Sequence, residues 1–345
     1  MEFIKPSRLR VDDTVAIVSP SWGGPSIFPH IYGKGLEALR DLGLQIKEYP
    51  SARADNDFLA RNPRARAKDI NDAFADVEVK AIFASIGGDD SVRILPFLNP
   101  EVIKNNPKIL MGYSDTSTLL TYINQMGLVT FNGPSVMAGF SQAGAFPESF
   151  VEHVEALLFS PQENYEYESY GVYCDGYLDW RNLENVGKTK ELKPDNGWRF
   201  LQGSGVATGE LYGGCLEVLE ILNGTEFWAG RDFWNGKILF FETSEDKPSV
   251  QRVRRILRNY GMQGIFDRAS AILFGRARDY TDEEKIEFDQ MILDVIKGEF
   301  GNERLPVVSN MDFGHTDPQF ILPLGVKAEV DCERKTFRLL ASPVQ

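Results

Sequence analysis

Short apolar segments rich in β-branched residues alternate with amphipathic segments of helical period through the first 160 residues. The strand-like segments lie at 14–18, 44–50, 80–85 and 108–112, and the helix-like segments at 33–42, 64–76, 91–97 and 115–126. Strands that alternate with helices form βαβ units, in which the strands pair in parallel. We therefore expect an α/β fold with a mostly parallel sheet in this region.

The alternation is interrupted between residues 160 and 200 and resumes after about 205. The later segments predict helices at 214–223, 249–260 and 281–298, and strands at 238–242, 270–275, 306–309 and 326–331. The interrupted stretch contains the aromatic residues Tyr165, Tyr167, Tyr170, Tyr173, Tyr177, Trp180 and Trp198. Long connections of this kind are often functional. A chain of 345 residues favours two domains, and we expect an N-terminal domain at 1–160, an aromatic-rich connection or substrate loop at 161–205 and a C-terminal domain at 206–345.

The charge balance of the chain restricts the classes of partner that we expect it to bind. The 37 Lys and Arg residues against 50 Asp and Glu residues give a formal net charge of −13. Clustered cations are what bind nucleic-acid polymers and anionic membranes, so we expect neither as a partner. Charges interrupt the opening MEFIKPSRLRVDD before the apolar core of a secretory signal could form. We expect a cytoplasmic protein.

The cysteines and histidines argue against a metal centre or a disulfide framework. Cys174, Cys215 and Cys332 are widely spaced and odd in number, which is typical of a reducing compartment. The sequence contains neither C-x-x-C nor H-E-x-x-H, the spacings typical of zinc sites. We predict no metal and no cofactor.

Ser114 is the first candidate for catalysis. It follows the apolar segment KILMG and precedes a predicted helix that starts near Asp115. A serine on a sharp strand-to-helix turn is exposed, and the helix N-terminal N–H groups then face an adjacent oxyanion. The G-x-S-x-G pattern is absent, so on spacing alone a helix N-cap remains the simpler interpretation.

A glycine turn, Gly87-Gly88-Asp89-Asp90, follows the predicted strand KAIFAS. Glycines at the carboxyl end of a parallel strand allow backbone N–H groups to approach a ligand. One interpretation is an oxyanion hole with the N–H groups of Gly88 and Asp115 as donors, and the other is a plain tight turn. Neither nucleotide-loop pattern, G-x-G-x-x-G or G-x-x-x-x-G-K-[ST], is present here.

Glu242 ends the predicted strand KILFFE. A carboxylate directly after an apolar strand lies at a sheet edge or in a cleft rather than in a dry core. It can orient an imidazole or be a solvated strand end. Glu245 and Asp246 are close enough in sequence to compete for the orienting role.

Three histidines are available as a general base. His153 lies in a glutamate-rich helix and is expected on a solvated face. His30 follows Pro29 before a helix, where capping or loop packing accounts for it. His315 lies in the irregular segment MDFGHTDPQFILPLG, whose small and polar residues leave room for a substrate. In chain order, Ser114, Glu242 and His315 supply a nucleophile, an orienting carboxylate and a base.

These segments together resemble the LD-carboxypeptidase family of serine peptidases, which also contains the microcin C immunity peptidases. The resemblance covers nearly the whole chain. It rests on LRVDDTVAIVSPS, IGGDDS, KILMGYSDTSTLL, NGP at 132–134, GELYGGCLEVLEILNGT, ILFFET and FGHTDPQFILPLG, in that order.

The resemblance implies an N-terminal Rossmann-like nucleophile domain with a parallel sheet and a smaller C-terminal α/β domain. It implies Ser114 as nucleophile, Glu242 as triad carboxylate and His315 as base, with Gly88 and Asp115 at the oxyanion hole. It also implies cleavage of an amide bond without a metal, by a cytoplasmic protein that is often a homodimer.

The glycine turn departs from one branch of the family. Cell-wall recycling members usually show Arg-Gly-Gly-Tyr-Gly, whereas this chain has Ile86-Gly87-Gly88-Asp89-Asp90, which is more similar to the immunity branch. Trp180 then becomes a candidate platform for adenine, because aromatic faces stack on nucleobases, although packing between domains accounts for it equally. Asp89 is a second candidate substrate-binding residue.

The expected substrate is therefore a microcin-C-like aminoacyl nucleotide or a cytoplasmic muramoyl tetrapeptide that releases terminal D-alanine. Two other classes stay open. One is a non-catalytic peptide or sugar binding protein on the same type of scaffold. The other is a nicotinamide-dependent dehydrogenase, which would need the glycine fingerprint that the sequence lacks.

Overall fold

Residues 3–345 are described by a computed structural model, in which two large sheets and one small sheet are joined by helices. The strands are β1 (Thr14–Val18), β2 (Gln45–Glu48), β3 (Val79–Ala84), β4 (Ile109–Gly112), β5 (Thr130–Asn132), β6 (Val172–Asp175), β7 (Lys193–Pro194), β8 (Arg199–Gln202), β9 (Val206–Cys215), β10 (Ile238–Glu242), β11 (Ala271–Gly275), β12 (Val307–Met311), β13 (Thr316–Asp317), β14 (Leu322–Leu324), β15 (Lys327–Asp331) and β16 (Thr336–Leu339).

The helices connect these strands in the order that the alternating pattern predicts. They are α1 (Gly24–Ile27), α2 (Pro29–Asp41), α3 (Asn56–Arg61), α4 (Pro63–Ala75), α5 (Pro100–Asn105), α6 (Ser117–Gln125), α7 (Glu148–Leu158), α8 (Leu216–Leu222), α9 (Val250–Met262) and α10 (Asp282–Leu293). None of the helices within residues 3–345 has the length and apolar character needed to cross a membrane.

The first sheet has the strand order β14-β5-β4-β3-β1-β2. Its strands β1 to β5 pair in parallel, and β14 is antiparallel to β5. Consecutive residues of β1, from Val15 to Val18, are buried, so both faces of the sheet are covered, as is typical of parallel sheets between layers of helices. The predicted α/β class with an N-terminal parallel sheet is confirmed.

The second sheet has the order β16-β15-β9-β10-β11-β12-β8. Its centre, β9 to β12, is parallel, and its outer strands are antiparallel. A third, small sheet has the order β13-β6-β7. One apolar cluster extends from Val15 in the first sheet to Leu339 in the second. The cluster packs the two large sheets against a common core.

The aromatic-rich segment contains more regular structure than its composition predicts, because β6, β7 and β8 all lie within it. Strand β8 pairs with β12 of the second sheet, while β14, from the far end of the chain, pairs with β5 of the first. The division of the chain at residues 160 and 205 stays a prediction.

Two local expectations differ from the structure. The predicted helix at 214–223 begins only at Leu216, because the ten-residue strand β9 continues to Cys215. The prediction that His153 lies on a solvated face is wrong. Its Nδ1 lies 2.7 Å from the Tyr165 hydroxyl, and its Nε2 accepts a hydrogen bond of 2.8 Å from the Ile321 amide. Burial lowers the pKa of His153 to about 3, which leaves a neutral ring among aromatic neighbours.

A buried charge cluster fixes the chain just before His315. The Arg276 guanidinium lies 2.8 Å from an Asp195 oxygen and 2.9 Å from an Asp312 oxygen, and all three side chains are almost fully buried. Trp198 Nε1 donates to the other Asp312 oxygen at 2.7 Å. The cluster therefore ties the aromatic-rich segment to the end of β12.

We expect Arg276→Met to reduce the free energy of unfolding by about 3–5 kcal/mol, because it leaves two buried carboxylates without their cation. Arg258→Met is the control, since Arg258 pairs with Glu299 on the surface, where solvent screening leaves an ion pair with little effect on stability. Urea unfolding monitored by circular dichroism measures both. Equal, small losses would contradict a stabilising role for the buried cluster.

Candidate active site

Ser114 lies on a strained turn between β4 and α6. Its φ is +58°, a left-handed conformation that side chains other than glycine rarely adopt. A short 3₁₀ turn at Ser114–Thr116 precedes α6, whose N-cap position is held by Thr116 rather than by Ser114. The N-cap interpretation of Ser114 is therefore wrong, and its hydroxyl is directed instead toward His315.

Neighbouring glycines allow this turn to form. A Cβ on Gly112 would lie 2.9 Å from atoms of Ala84 and Thr116, and a Cβ on Gly87 would lie 3.0 Å from the Ser114 Oγ. Glycine at both positions lets the end of β4 and the turn after β3 approach one another closely. The serine hydroxyl is thereby placed against the glycine turn, as in a nucleophile elbow.

His315 joins the two sheets at their carboxyl ends. It lies between β12 and β13, with its Nε2 3.1 Å from Ser114 Oγ and its Nδ1 2.6 Å from Glu242 Oε2. The Glu242 side chain, at the end of β10, is completely buried. His315 thus lies within hydrogen-bond distance of both Ser114 and Glu242, the other two residues that chain order and residue type indicated.

Gly314 is required for the contact between Glu242 and His315. Its φ is +98°, and a Cβ there would lie 2.7 Å from Glu242 Cβ and 2.8 Å from Glu242 Oε2. Any larger residue would push the carboxylate or the loop away. The small neighbour that marked the His315 segment in the sequence is therefore a steric requirement.

Glu245 also contacts the imidazole. Its Oε2 lies 2.8 Å from His315 Nε2, the same nitrogen that faces Ser114. The structure thus places both carboxylates that the sequence left in competition against the ring, Glu242 at Nδ1 and Glu245 at Nε2. Asp246 lines the cleft nearby.

The two carboxylates control the charge on His315. Burial alone would lower the pKa of His315, but Glu242 and Glu245 outweigh burial and raise the pKa to about 10. The hydrogen bond from His315 lowers the pKa of Glu245 to about 2, against the opposing effect of burial. In this arrangement the ring is an imidazolium at neutral pH, and its Nε2 has no lone pair to accept a proton from Ser114.

The predicted oxyanion donors lie beside the serine. Gly88 has a φ of +150° and its Cα faces Ser21 so closely that no Cβ could be accommodated. Within residues 3–345, no hydrogen bond is donated by the backbone N–H of Gly88 or of Asp115. Asp115 itself is anchored, since its carboxylate accepts a 2.8 Å bond from the Ser91 amide. Both N–H groups are thus available to an incoming oxygen.

A cleft of about 640 Å³ opens in front of Ser114 and His315. Its walls include both residues assigned to substrate binding by sequence, Asp89 and Trp180. Trp180 packs edge-on against Phe28 at 5.6 Å, and its carbonyl lies 2.6 Å from His30 Nε2. Loop packing, one of the two expectations for His30, is confirmed.

The cleft also contains residues that the sequence did not assign to the site, among them Tyr113, Tyr177 and Arg278. The two tyrosine hydroxyls lie 2.7 Å apart, and the Tyr113 ring packs against His315 at 5.0 Å. Arg278 is the one Arg or Lys among the described residues that line the cleft. The sequence contained a signal for Arg278, because this residue follows the carboxyl end of β11, next to the strand that ends in Glu242.

Two family models match the chain. Residues 15–133 match the model of the LD-carboxypeptidase N-terminal domain, and residues 208–330 match that of the C-terminal domain. This chain belongs to the LD-carboxypeptidase family. It is accordingly a serine carboxypeptidase.

Relatives of the LD-carboxypeptidase family match the chain over almost its full length. A Vibrio cholerae protein provisionally named a carboxypeptidase is 30% identical, over 96% of each chain. A provisionally named murein peptide carboxypeptidase of Bacillus subtilis is 29% identical, over 96% of this chain and 93% of the relative. The microcin C7 self-immunity protein MccF of Escherichia coli is 29% identical, over 96% and 94%.

The fold agrees with that of a solved structure. The MccF structure in complex with aspartyl sulfamoyl adenosine superposes with a TM-score of 0.88 at 28% identity, covering 99% of this chain and all of that one.

We expect Gly314→Ala to lower kcat/KM by about 100-fold, because displacement of His315 by about 1 Å is enough for such a loss. Gly301→Ala is the matched control, since Gly301 also has a positive φ, +69°, but open space around its Cα. Steady-state hydrolysis assays with both variants separate the clash at Glu242 from backbone strain. Wild-type activity in the Gly314 variant would contradict the steric requirement.

Proposed function

We propose that the chain hydrolyses an amide bond through Ser114, His315 and Glu242. Neutral His315 accepts the Ser114 proton at Nε2 while Oγ attacks the amide carbonyl carbon. Glu242 accepts the Nδ1–H bond and stabilises the imidazolium that forms. The distances of 3.1 Å and 2.6 Å in this series support the proposal.

The tetrahedral oxyanion would bind between the N–H groups of Gly88 and Asp115. The imidazolium then donates its Nε2 proton to the leaving nitrogen, so the C–N bond breaks and an acyl ester remains on Ser114. A water molecule, deprotonated by His315, attacks the ester and releases the acid. Each proton that His315 accepts is returned, and no redox partner or metal takes part in these steps.

The substrate that the cleft fits best is an aminoacyl nucleotide with an amide-type linkage. The observation that carries this proposal is the partly exposed indole of Trp180, which lines the same cleft as Ser114 and packs at 5.1 Å against Tyr177. An aromatic face in the wall of the cleft that holds the nucleophile suits a nucleobase on the leaving side of the scissile bond. The ligand named for the MccF structure, aspartyl sulfamoyl adenosine, belongs to the same chemical class.

A muramoyl tetrapeptide is the second candidate. A carboxypeptidase must hold the free carboxylate of its substrate, and Arg278 lies in the cleft wall with its Nε bonded to Asp279 at 3.1 Å. The rest of its guanidinium can bind a carboxylate, but it can equally bind a phosphoryl group. Asp89, exposed at the cleft rim, would accept hydrogen bonds from either substrate.

Three further expectations accompany this function as proposals. The enzyme acts as a homodimer, it works in the cytoplasm, and it binds neither a nucleic-acid polymer nor a membrane. The net charge of −13 supports the last of these, since an isolated nucleotide can be held by stacking and a few local donors.

Ser114→Ala is expected to reduce kcat by at least about 10⁴-fold, because removing the nucleophile leaves only binding and oxyanion stabilisation. Ser160→Ala, an exposed serine outside the cleft, should be unaffected. Quenched wild-type reactions analysed by mass spectrometry should show the acyl group on Ser114. Persistent turnover by the Ser114 variant with unchanged thermal stability would exclude the proposed mechanism.

Trp180→Ala is expected to lower kcat/KM for alanyl sulfamoyl adenosine by about 5- to 150-fold, the equivalent of about 1–3 kcal/mol of stacking. Trp180→Phe should retain most of the activity. Release of D-alanine from a muramoyl tetrapeptide, measured in parallel, should not change. Equal losses on both substrates would show that Trp180 serves packing and not base recognition.

A further inference from the structure

The Glu245 carboxylate occupies the face of His315 that the reaction requires. A neutral imidazole can accept the Ser114 proton only through a free lone pair on Nε2, and the ion pair with Glu245 favours the protonated ring, whose Nε2 has no lone pair. The contact of 2.8 Å is shorter than the 3.1 Å between Nε2 and Ser114 Oγ. The base is therefore engaged by a carboxylate before the substrate binds.

Glu245 differs from Glu242 in being accessible. The Glu245 side chain is 54% exposed on the loop after β10, whereas that of Glu242 is completely buried. Within residues 3–345, His315 is the one ion-pair partner of the Glu245 carboxylate. A carboxylate with one partner and an open side can exchange that partner for a cation on a ligand.

The position of Glu245 determines which group of the ligand its carboxylate would contact. Glu245 Oε2 and Ser114 Oγ both lie within hydrogen-bond distance of the same nitrogen, so the carboxylate is close to any carbonyl carbon that Ser114 attacks. In an aminoacyl conjugate, the α-ammonium is separated from that carbonyl carbon by a single carbon atom. The same nitrogen in an internal peptide residue is an uncharged amide.

We propose that Glu245 binds the free α-ammonium of the acyl residue and, in doing so, releases His315 Nε2 to act as the base. This inference rests on the proposed hydrolysis of aminoacyl nucleotides and adds its selectivity, for acyl residues with an unblocked amine. Recognition of the amine and activation of the base are then one event.

The charges around the site agree with a cationic ligand group here. The titratable groups around the pair of His315 and Glu245 are Glu242 at the end of β10, Asp317 in β13, Tyr113 after β4 and Arg278 after β11. Apart from Arg278, every one of these that is charged at neutral pH is a carboxylate. The site therefore has excess negative charge for a ligand ammonium to neutralise.

The test compares two probes, alanyl sulfamoyl adenosine and its N-acetylated form, with wild type, Glu245→Gln, Glu245→Asp and the surface control Glu333→Gln. The wild type and the control should prefer the free amine by at least 10-fold in kcat/KM. Glu245→Gln should reduce this preference to near unity, because it loses the binding group for the free amine and gains activity on the acetylated probe by freeing the base. Glu245→Asp should retain part of the preference.

The pH profile provides a second readout on the acetylated probe. Removing one carboxylate from Nε2 lowers the pKa of His315, and the base is active above its pKa. The acidic limb of kcat/KM should therefore move to lower pH in Glu245→Gln.

An unchanged preference in Glu245→Gln, or equal losses on both probes, would overturn the role of Glu245 while leaving the hydrolytic function intact. If the wild type cleaves neither probe, the aminoacyl-nucleotide function itself is wrong, and the inference fails with it. Thermal unfolding of each variant shows whether a loss comes from misfolding.

Discussion

The hydrogen bond between Glu242 and His315 is the contact on which the active site depends. Glu242 ends β10 in the centre of the second sheet, and His315 follows β12 of the same sheet, with β11 between the two strands, so the pair is built on one sheet. Ser114 comes from the first sheet and meets the pair at 3.1 Å. The shared apolar core and the pairing of β14 with β5 hold the two sheets at that distance. Preorganisation on strand ends rather than on mobile loops gives the geometry that acyl transfer needs.

The electrostatics of the site require that the protonation state of His315 change when a substrate binds. Two carboxylates hold His315 as a cation, which is suitable for donating a proton to a leaving group but not for accepting one from Ser114. Glu242 is buried, so moving its carboxylate away from His315 would leave a buried charge without a partner. The exposed Glu245 can move away from His315. Its transfer from the imidazolium to a ligand ammonium would convert a resting site into an active one. Selectivity and activation would then arise from the same carboxylate.

Local sequence patterns predicted the parts of this site that local chemistry determines. Ser114 after an apolar strand, Glu242 at the end of another and His315 beside a glycine were all proposed from their immediate neighbours, and the structure brings their side chains together. Long-range packing determined the rest. Nothing next to His153 in sequence indicates that Tyr165 and Ile321 enclose it. The choice between Glu242 and Glu245 depends on how the loop after β10 turns toward a strand more than 60 residues away in sequence, which no local pattern reveals.

The most direct test of this account is a nitrogen-15 NMR titration of the imidazole rings in the unliganded protein. The chain has three histidines, so substitution of His30 and His153 assigns the His315 signals. The account predicts that His315 remains an imidazolium through pH 9 and loses its proton near pH 10, in keeping with the two carboxylates that raise its pKa. Deprotonation of His315 near pH 6.5, the range of an ordinary histidine, would contradict it.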